Sequence, residues 1–261
     1  MNDLERIGSE TARSGLDYEE IVAGKFNSWN TDYEARGWLE FMGYNLEDIT
    51  NVEAETLPNS YKTDIHVNTA IGEEIFTENI SIKRTKISVN YNQIDQRWVD
   101  NYQELWDIPE DISKSLKMFS GELSPLELLE SREIDIPRYC SLNDRGRRRF
   151  FLDELYYGET QKIINFFEEN KIIVVNDTIK GRGDYTADWM LVTKYDDSID
   201  ETSILTDIDH AMGVFSEGEV RVSPQGSLSI GRITMTRKGG DAGRDTANKL
   251  QFNIPPCDLF D

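Results

Sequence analysis

Residues 58–86 read PNSYKTDIHVNTAIGEEIFTENISIKRTK, and this stretch decides how the rest of the chain is interpreted. In its first half, polar and apolar residues alternate, which predicts a β-strand with Ile65 and Val67 on one face. The opposite face of that strand carries Lys62, Asp64 and His66. Gly72 then supplies a turn, so the sequence predicts a hairpin with a second strand after it.

The second strand of this predicted hairpin, within ENISIKR, also alternates, with isoleucines on one face and Ser81 and Lys83 on the other. Two adjacent strands can therefore aim Asp64, Ser81 and Lys83 at a common polar surface. An aspartate, an oxygen-bearing side chain and a lysine two residues beyond it form a metal-dependent nuclease constellation. Asp64 would hold a divalent cation, and Lys83 would orient or deprotonate water beside a phosphate.

An ordinary amphipathic hairpin with a solvated polar face explains the same spacing, and by itself the spacing favours this simpler interpretation. The helix before the hairpin helps to choose between a metal site and an ordinary hairpin. A broken helix is predicted over 3–29, with Ile21, Val22, Lys25 and Phe26 along its buried stripe. Glu19 lies about one turn before the centre of that stripe and could add a carboxyl contact to the metal site. The alternative for Glu19 is a solvated acid in the first turn of the helix.

Composition restricts the protein class without identifying a function. The chain has 261 residues, of which 38% are hydrophobic and 30% charged, as in globular proteins. The sequence has no run of eighteen apolar residues, so no membrane span is expected. Cys140 and Cys257 are isolated, which indicates neither a disulfide framework nor a zinc site, and a reducing cytoplasm is the expected location.

The formal net charge of -21 argues against a nucleic-acid partner, because phosphate binding depends on Lys and Arg. The positive residues are clustered, however, near 145–149, 180–182 and 232–244. A basic cleft on an acidic body would restrict DNA to one face of the protein. Adaptation to high salt would also explain the acidity, and the sequence leaves both explanations open.

Several segments after the hairpin carry possible DNA-reading side chains. NQIDQRWVDNYQELW, residues 92–106, is predicted to be a helix whose outer face presents Gln93, Gln96 and Arg97. The run RGRRRFF suits phosphate contacts or a solvated helix start, KIIVVND predicts a buried strand, and DYTADWMLVTKYD predicts another. Between these two strands the GRGD turn places Arg182 in a basic loop.

A second hairpin is predicted in GEVRVSPQGSLSIGRITMTRKGG, with its turn at Pro224-Gln225-Gly226. The glycine-rich segment after it lets backbone and side chains approach a groove closely. This segment is dense in hydrogen-bond donors, among them Arg237, Lys238, Arg244, Asn248 and Gln251. A glycine-rich surface loop without a ligand is the alternative.

Taken together, these segments are similar to a known family. GLDYEEIVAGKF, SYKTDIHV, ISIKR, the 92–106 segment, GRGDYTADWMLV and GRITMTRKGGDAGRDTANKLQF match in order from the first helix almost to the C-terminus. The chain resembles the small type II restriction endonucleases of the PD-(D/E)XK superfamily, specifically the MspI and HinP-type four-base cutters. The resemblance implies an α/β fold with a restriction-endonuclease-like core, in which a mixed β-sheet is flanked by helices.

The resemblance also implies roles for particular residues. Asp64 matches the metal aspartate, Lys83 the motif lysine, and Glu19 the helical glutamate, while Ser81 fills a slot that is usually acidic or an amide. Asp64, Ser81 and Glu19 would then be the ligands of Mg²⁺. Asn253 stands where relatives have a lysine after Gln-Phe. The resemblance favours the palindrome G-C-G-C as the recognition site, with C-C-G-G second.

The expected protein is a single cytoplasmic endonuclease domain, 1–261, with a catalytic core at about 1–106 and DNA-recognition elements at about 92–106 and 218–255. It would cleave double-stranded DNA as a monomer or weak homodimer, without a membrane partner. A cognate DNA methyltransferase is its expected genetic partner. Two alternatives remain: a DNA-binding protein that has lost catalysis, suggested by Ser81, and an acidic interaction protein, suggested by the net charge.

Overall fold

The computed structural model describes residues 17–58, 62–142, 149–196, 201–240 and 244–261. The first part of the predicted 3–29 helix and three arginines of the basic run, Arg145, Arg147 and Arg148, lie outside the described residues. Contacts divide the described chain into two compact units. Unit 1 lies within Met1–Asn92, Ile179–Val214 and Pro256–Asp261, and unit 2 comprises the described residues of Gln93–Thr178 and Phe215–Pro255. The expectation that 1–261 acts as one endonuclease domain stays a prediction.

Unit 1 is built on a five-stranded mixed sheet. Its strands, in the order β1-β2-β3-β5-β6, are β1 (Ile49–Thr56), β2 (Ile65–Ile71), β3 (Glu74–Lys86), β5 (Trp189–Tyr195) and β6 (Glu201–Asp207). β3 and β5 pair in parallel, whereas the other neighbours are antiparallel. The predicted hairpin is confirmed, because β2 and β3 pair directly with Ile65 opposite Ile80.

Two helices pack against one face of this sheet. α1 covers 17–27 in the described chain, and α2 covers Tyr33–Phe41 and ends before Gly43, whose φ is 96°. The shared core contains Tyr18, Val22, Phe26, Trp38, Leu39, Ile65, Val67, Ile80, Ile82, Leu191 and Leu205. The predicted stripe of α1 is confirmed at Val22 and Phe26 but was wrong at Ile21, which is 52% exposed, and at Lys25, which is only partly buried; Tyr18 completes the buried face. Residues 18, 22 and 26 recur every four positions and so share a helix face.

Unit 2 contains the second five-stranded sheet and most of the helices. The strands, in the order β4-β10-β9-β8-β7, are β4 (Asn92–Arg97), β10 (Leu250–Ile254), β9 (Ile233–Arg237), β8 (Leu228–Ile230) and β7 (Val220–Val222). The helices are α3 (Val99–Trp106), α4 (Glu110–Ser120), α5 (Pro125–Glu130), α6 (Ile136–Ser141), α7 (Tyr157–Glu169) and α8 (Lys171–Ile179). Elsewhere in the described chain, helix α9 (Ile208–Ser216) follows β6, and short 3₁₀ turns cover Leu152–Glu154, Asp245–Asn248 and, in unit 1, Pro256–Phe260.

Two predicted elements differ from the structure. KIIVVND was predicted as a strand but forms α8, because a short apolar run cannot by itself distinguish a strand from a helix with one buried face. The helix predicted over 92–106 begins only at Val99, and 92–97 is strand β4. This second difference changes which side chains of residues 92–97 share a face.

Candidate active site

Asp64 immediately precedes β2 and is held by backbone hydrogen bonds on both sides. Its N–H donates to the carbonyl of Ile80 at 2.9 Å, and its carbonyl accepts from the N–H of Leu57 at 2.9 Å. These bonds extend the ladder beyond β2, so Asp64 sits beside the central part of β3. Continuing the β2–β3 register, in which Ile65 lies opposite Ile80, by one residue places Asp64 opposite Ser81.

The Asp64 carboxylate is the point at which the predicted catalytic residues meet. Its Oδ2 accepts from the backbone N–H of Ile82 at 2.5 Å, from Ser81 Oγ at 3.2 Å and from Lys83 Nζ at 3.4 Å. All three donors belong to consecutive residues of β3. The structure thus brings Asp64, Ser81 and Lys83 together, as their spacing in the sequence predicts.

This cluster is more enclosed than the predicted polar surface. The side chains of Asp64 and Lys83 are only 16% and 15% exposed, and Ser81 is buried. β3 lies in the middle of the sheet between β2 and β5, and Ile80, Ser81 and Ile82 are all buried, so both of its faces are covered here. Charges in such an environment interact more strongly than they would in water.

Lys83 is oriented by two acceptors. Its ammonium donates to the carbonyl of Ile82 at 2.8 Å, in addition to Asp64. An ammonium has three N–H donors and no acceptor, so Nζ is the donor in both contacts. A third N–H is left that can be directed at a water or phosphate oxygen.

Glu19, on α1, is electrostatically coupled to this cluster. The pKa of its carboxyl is raised from 4.5 to about 7, first by burial and second by the negative charge of Asp64, while the positive charge of Lys83 opposes the rise. Near neutral pH a fraction of this carboxyl is therefore still protonated. Raised carboxyl pKa values of this kind mark places where a further positive charge would be favourable.

The side chains around Asp64 fit a hard divalent cation. Two carboxylates and a hydroxyl offer oxygen donors, and Mg²⁺ is commonly held by only one or two carboxylates together with substrate phosphates. Among the described residues, no three His, Cys, Asp or Glu side chains gather into a metal-binding group. A site of this composition would leave several coordination positions to water and to the substrate.

The predicted DNA-reading residues, apart from Arg182, lie in unit 2 around its sheet. On β4, alternation places Gln93, Asp95 and Arg97 on one face and Gln96 with Ile94 on the other, so the expected single outer face was wrong. Asp95 is nearly buried and holds Arg97 in a bidentate contact, with Nε at 3.1 Å and Nη2 at 3.3 Å. The guanidinium of Arg97 is thereby fixed in one plane.

Strands β9 and β10, together with the turn between them, carry most of the other predicted DNA-reading residues. Arg237 Nη2 donates to Asn248 Oδ1 at 2.5 Å, and the backbone N–H of Lys238 donates to the carbonyl of Lys249 at 2.9 Å. Arg244 is exposed and precedes the 3₁₀ turn Asp245–Asn248. Gly239 and Gly240 both have positive φ, of 67° and 64°, which fits the predicted tight backbone. The rest of this loop, 241–243, lies outside the described residues.

Gln251 on β10 takes part in a hydrogen-bond relay with Asn253. Asn253 is fully buried, and its Nδ2 donates to the carbonyl of Thr234 at 3.3 Å and to Thr236 Oγ1 at 3.1 Å. Gln251 Nε2 donates to Asn253 Oδ1 at 2.6 Å. Because a carbonyl can only accept, the Thr234 contact fixes the orientation of both amides.

Comparison with models of known protein families identifies the family of this chain. The family model of the R.HinP1I restriction endonuclease matches residues 42–260. The chain belongs to that restriction endonuclease family. This endonuclease is therefore a type II site-specific deoxyribonuclease, and Asp64, Ser81 and Lys83 all lie inside the matched region, whereas Glu19 precedes it.

The fold of this endonuclease agrees with that assignment. It is similar to the crystal structure of the restriction endonuclease MspI in complex with its cognate DNA, with a TM-score of 0.58 and 11% identity, over 90% of this chain and 87% of that chain. The predicted mixed α/β fold is thereby confirmed. None of the curated protein sequences matches the endonuclease. In the described residues, no helix is long and apolar enough to cross a bilayer.

The tertiary structure also reveals partners that sequence reasoning missed. Asp95 was not singled out, although its place two residues before Arg97 is the spacing of same-face neighbours on a strand. Asn253 was noted only as a departure from relatives. Its polar side chain in the alternating segment LQFNI was the available signal for a buried polar contact.

Proposed function

We propose that this endonuclease hydrolyses phosphodiester bonds of double-stranded DNA with Mg²⁺, at a short palindromic site made of G and C. The convergence of Ser81 Oγ, Lys83 Nζ and the Ile82 N–H on Oδ2 of Asp64 carries this proposal. G-C-G-C is the proposed site, with C-C-G-G as the second choice. We further propose that the enzyme is cytoplasmic, acts as a monomer or weak homodimer, and has a cognate DNA methyltransferase.

Asp64, Glu19 and Ser81 would hold the cation. When bound, Mg²⁺ would supply positive charge against the phosphate oxygens, where negative charge increases during hydrolysis. Asp64 is fixed for this role by the backbone N–H of Ile82. Ser81 offers only a neutral oxygen, so the site gains less affinity from this position than it would from a carboxylate.

Lys83 would position the attacking water and would not deprotonate it. Its contacts with the Ile82 carbonyl and the Asp64 carboxylate hold Nζ as a donor at a fixed place beside the carboxylate. The remaining N–H can donate to the water or to a phosphate oxygen. A cation at this point also stabilises the transition state electrostatically.

Recognition of bases is proposed for the unit 2 sheet and its loop. The candidate residues are Gln93, Gln96, Arg97, Arg237, Lys238, Arg244, Asn248 and Gln251, with Arg182 contacting DNA from unit 1. Arg and Lys pair well with O6 and N7 of guanine, and each good bidentate pair gives about 1–3 kcal/mol of discrimination. This chemistry supports a recognition site restricted to G and C.

Digestion of a plasmid of known sequence, with Mg²⁺ and with EDTA, tests the proposal. Discrete bands that require Mg²⁺ are expected, and sequencing the cut ends gives the recognition site and the cleavage position. Binding of a G/C-rich duplex without any nicking would instead indicate a protein that has lost catalysis. Ends that map to a site containing A or T would overturn the proposed specificity.

A further inference from the structure

The turn that follows Lys180 is packed directly onto the segment that carries Asp64. Gly181 has a φ of 89°, and a Cβ added there would lie 2.4 Å from Cγ and 2.9 Å from Cβ of Lys62. These are atoms near the backbone of Lys62, so they could not move aside easily. Gly181 is therefore required both by its backbone conformation and by the close approach of Lys62.

Further contacts join the turn to this segment. Thr63 Oγ1 donates to the carbonyl of Tyr185 at 2.9 Å, and the N–H of Ala187 donates to the carbonyl of Lys180 at 2.9 Å. The ring of Tyr185 lies edge-on to that of His66, with 6.3 Å between their centroids. The turn and the start of β2 thus form one structural block around Asp64.

This block carries two basic residues: Lys62, two positions before the proposed catalytic Asp64, and Arg182, next to Gly181. Burial alternates from Lys62 to Val67, with Thr63, Ile65 and Val67 buried and the residues between them partly exposed. Lys62 and Asp64 therefore share a side of the chain, about 7 Å apart along it. Arg182 follows Gly181 and is exposed.

We infer that Lys62 and Arg182 form a phosphate clamp that binds the DNA backbone next to the cleaved bond. The inference extends the proposed function, because a phosphodiester that reaches Asp64 must bring its neighbouring phosphates toward these two cations. Asp64 and Glu19 give the site negative charge, so flanking phosphates need nearby positive groups to approach. Gly181 allows the turn that carries Arg182 to pack against Lys62, and so sets the relative position of the two cations.

The salt dependence of duplex binding, measured in EDTA so that no cutting occurs, tests the clamp. Each backbone phosphate contact contributes about 0.9 to the slope of log K against log salt concentration. Lys62→Gln and Arg182→Gln should each lower the slope by about 0.9, whereas Lys62→Arg should retain it. A residue with a merely structural role would change affinity without changing this slope.

Lys180→Gln is the matched control from the same turn. Its ammonium pairs with Asp209 at 3.3 Å in a pocket also lined by Glu78, Asp188 and Asp207, so its slope should equal that of the unsubstituted enzyme. A steep salt dependence of binding in the unsubstituted enzyme, with the same slope in both Lys62→Gln and Arg182→Gln, would overturn the clamp alone. An unsubstituted enzyme that neither binds nor cuts DNA would overturn the proposed function as well.

Neutral methylphosphonate groups, introduced singly around the cleaved bond, locate the contact. The unsubstituted enzyme should lose about tenfold or more in affinity at one or two positions, and Lys62→Gln should lose little further at the same position. Additive losses at every position would show that Lys62 contacts none of these phosphates. Gly181→Ala should reproduce the loss at the Lys62 and Arg182 positions together, and retention of both contacts would contradict its role.

Discussion

The backbone N–H of Ile82 donates a 2.5 Å hydrogen bond to Oδ2 of Asp64. This bond joins the central strand to the carboxylate without a side chain, so the orientation of Asp64 does not depend on Ser81 or Lys83 alone. Substitutions of those two residues should therefore report on their own chemistry and not on displacement of Asp64.

Asp64→Ala should abolish cutting and preserve binding. Loss of the carboxylate removes the proposed cation ligand, and we expect a fall in cleavage rate on the order of 10³-fold or more. Duplex binding in EDTA should change little, because the proposed phosphate and base contacts are made by other residues. Cleavage of a plasmid and gel-shift affinity are measured side by side, and cutting that survives would refute the site assignment.

Lys83→Ala should also stop cutting, and comparison with Lys83→Arg tests how it acts. A positioning role needs a donated hydrogen bond and a positive charge, so Lys83→Arg should retain measurable cleavage, about 10- to 100-fold below that of the unsubstituted enzyme. A general base must lose its proton, which arginine does not do in proteins. No cutting at all by Lys83→Arg, in a folded protein that still binds DNA, would favour the base role.

The raised pKa of Glu19 predicts a pH-dependent stability in the absence of metal. The folded state binds this proton more tightly than the unfolded chain, whose glutamate has the usual value of 4.5, so folding stability falls as pH rises from about 4.5 through about 7. Glu19→Gln cannot ionise and escapes this loss. The variant should gain Tm relative to the unsubstituted enzyme at pH 8 more than at pH 5, in EDTA.

Added Mg²⁺ provides the control for Glu19. A bound cation favours the ionised carboxylate and should raise the Tm of the unsubstituted enzyme at pH 8, with a smaller effect on Glu19→Gln. Identical pH dependence of Tm in both proteins would show that folding does not raise the pKa of Glu19. Equal Mg²⁺ effects on both would remove Glu19 from the proposed ligand set.

Asn253→Ala should relax specificity at one base pair of the recognition site. Without Asn253, the Gln251 amide is free to rotate. The proposed contact of Gln251 with a base then loses the discrimination of a fixed donor and acceptor, about 1–3 kcal/mol or roughly tenfold or more in relative rate. Cleavage of a panel of single-base variants of the site measures this. Gln251→Ala should relax the same position, and the double variant should be no less specific than either.

The buried amide also contributes to stability, which must be separated from specificity. Removing the fully buried Asn253 deletes its hydrogen bonds with Gln251, Thr234 and Thr236, at a cost of about 1–3 kcal/mol. Specificity is therefore compared well below the Tm of each variant. Unchanged base preference in both Asn253→Ala and Gln251→Ala would exclude this relay from recognition.

Sequence reasoning succeeded where the decisive contacts are local. Asp64 and Ser81 are joined by a hairpin with a short turn, so period-two alternation predicts that they meet, and they do. It failed where one pattern suits two structures, as with α8, whose β-branched run resembles a strand until packing buries only one side of it. The helix predicted for 92–97 was wrong for a related reason: the apolar spacing of this segment continues that of the helix that begins at Val99.

By itself, the sequence determined the hairpin and the residue types that meet at Asp64, because those follow from backbone periodicity over neighbouring positions. The tertiary structure alone decided the rest: the enclosure of the site by the parallel pairing of β3 with β5, and the raised pKa of Glu19. It also decided the approach of Gly181 to Lys62. Those properties depend on burial and on contacts between residues far apart in the chain, which no local pattern specifies.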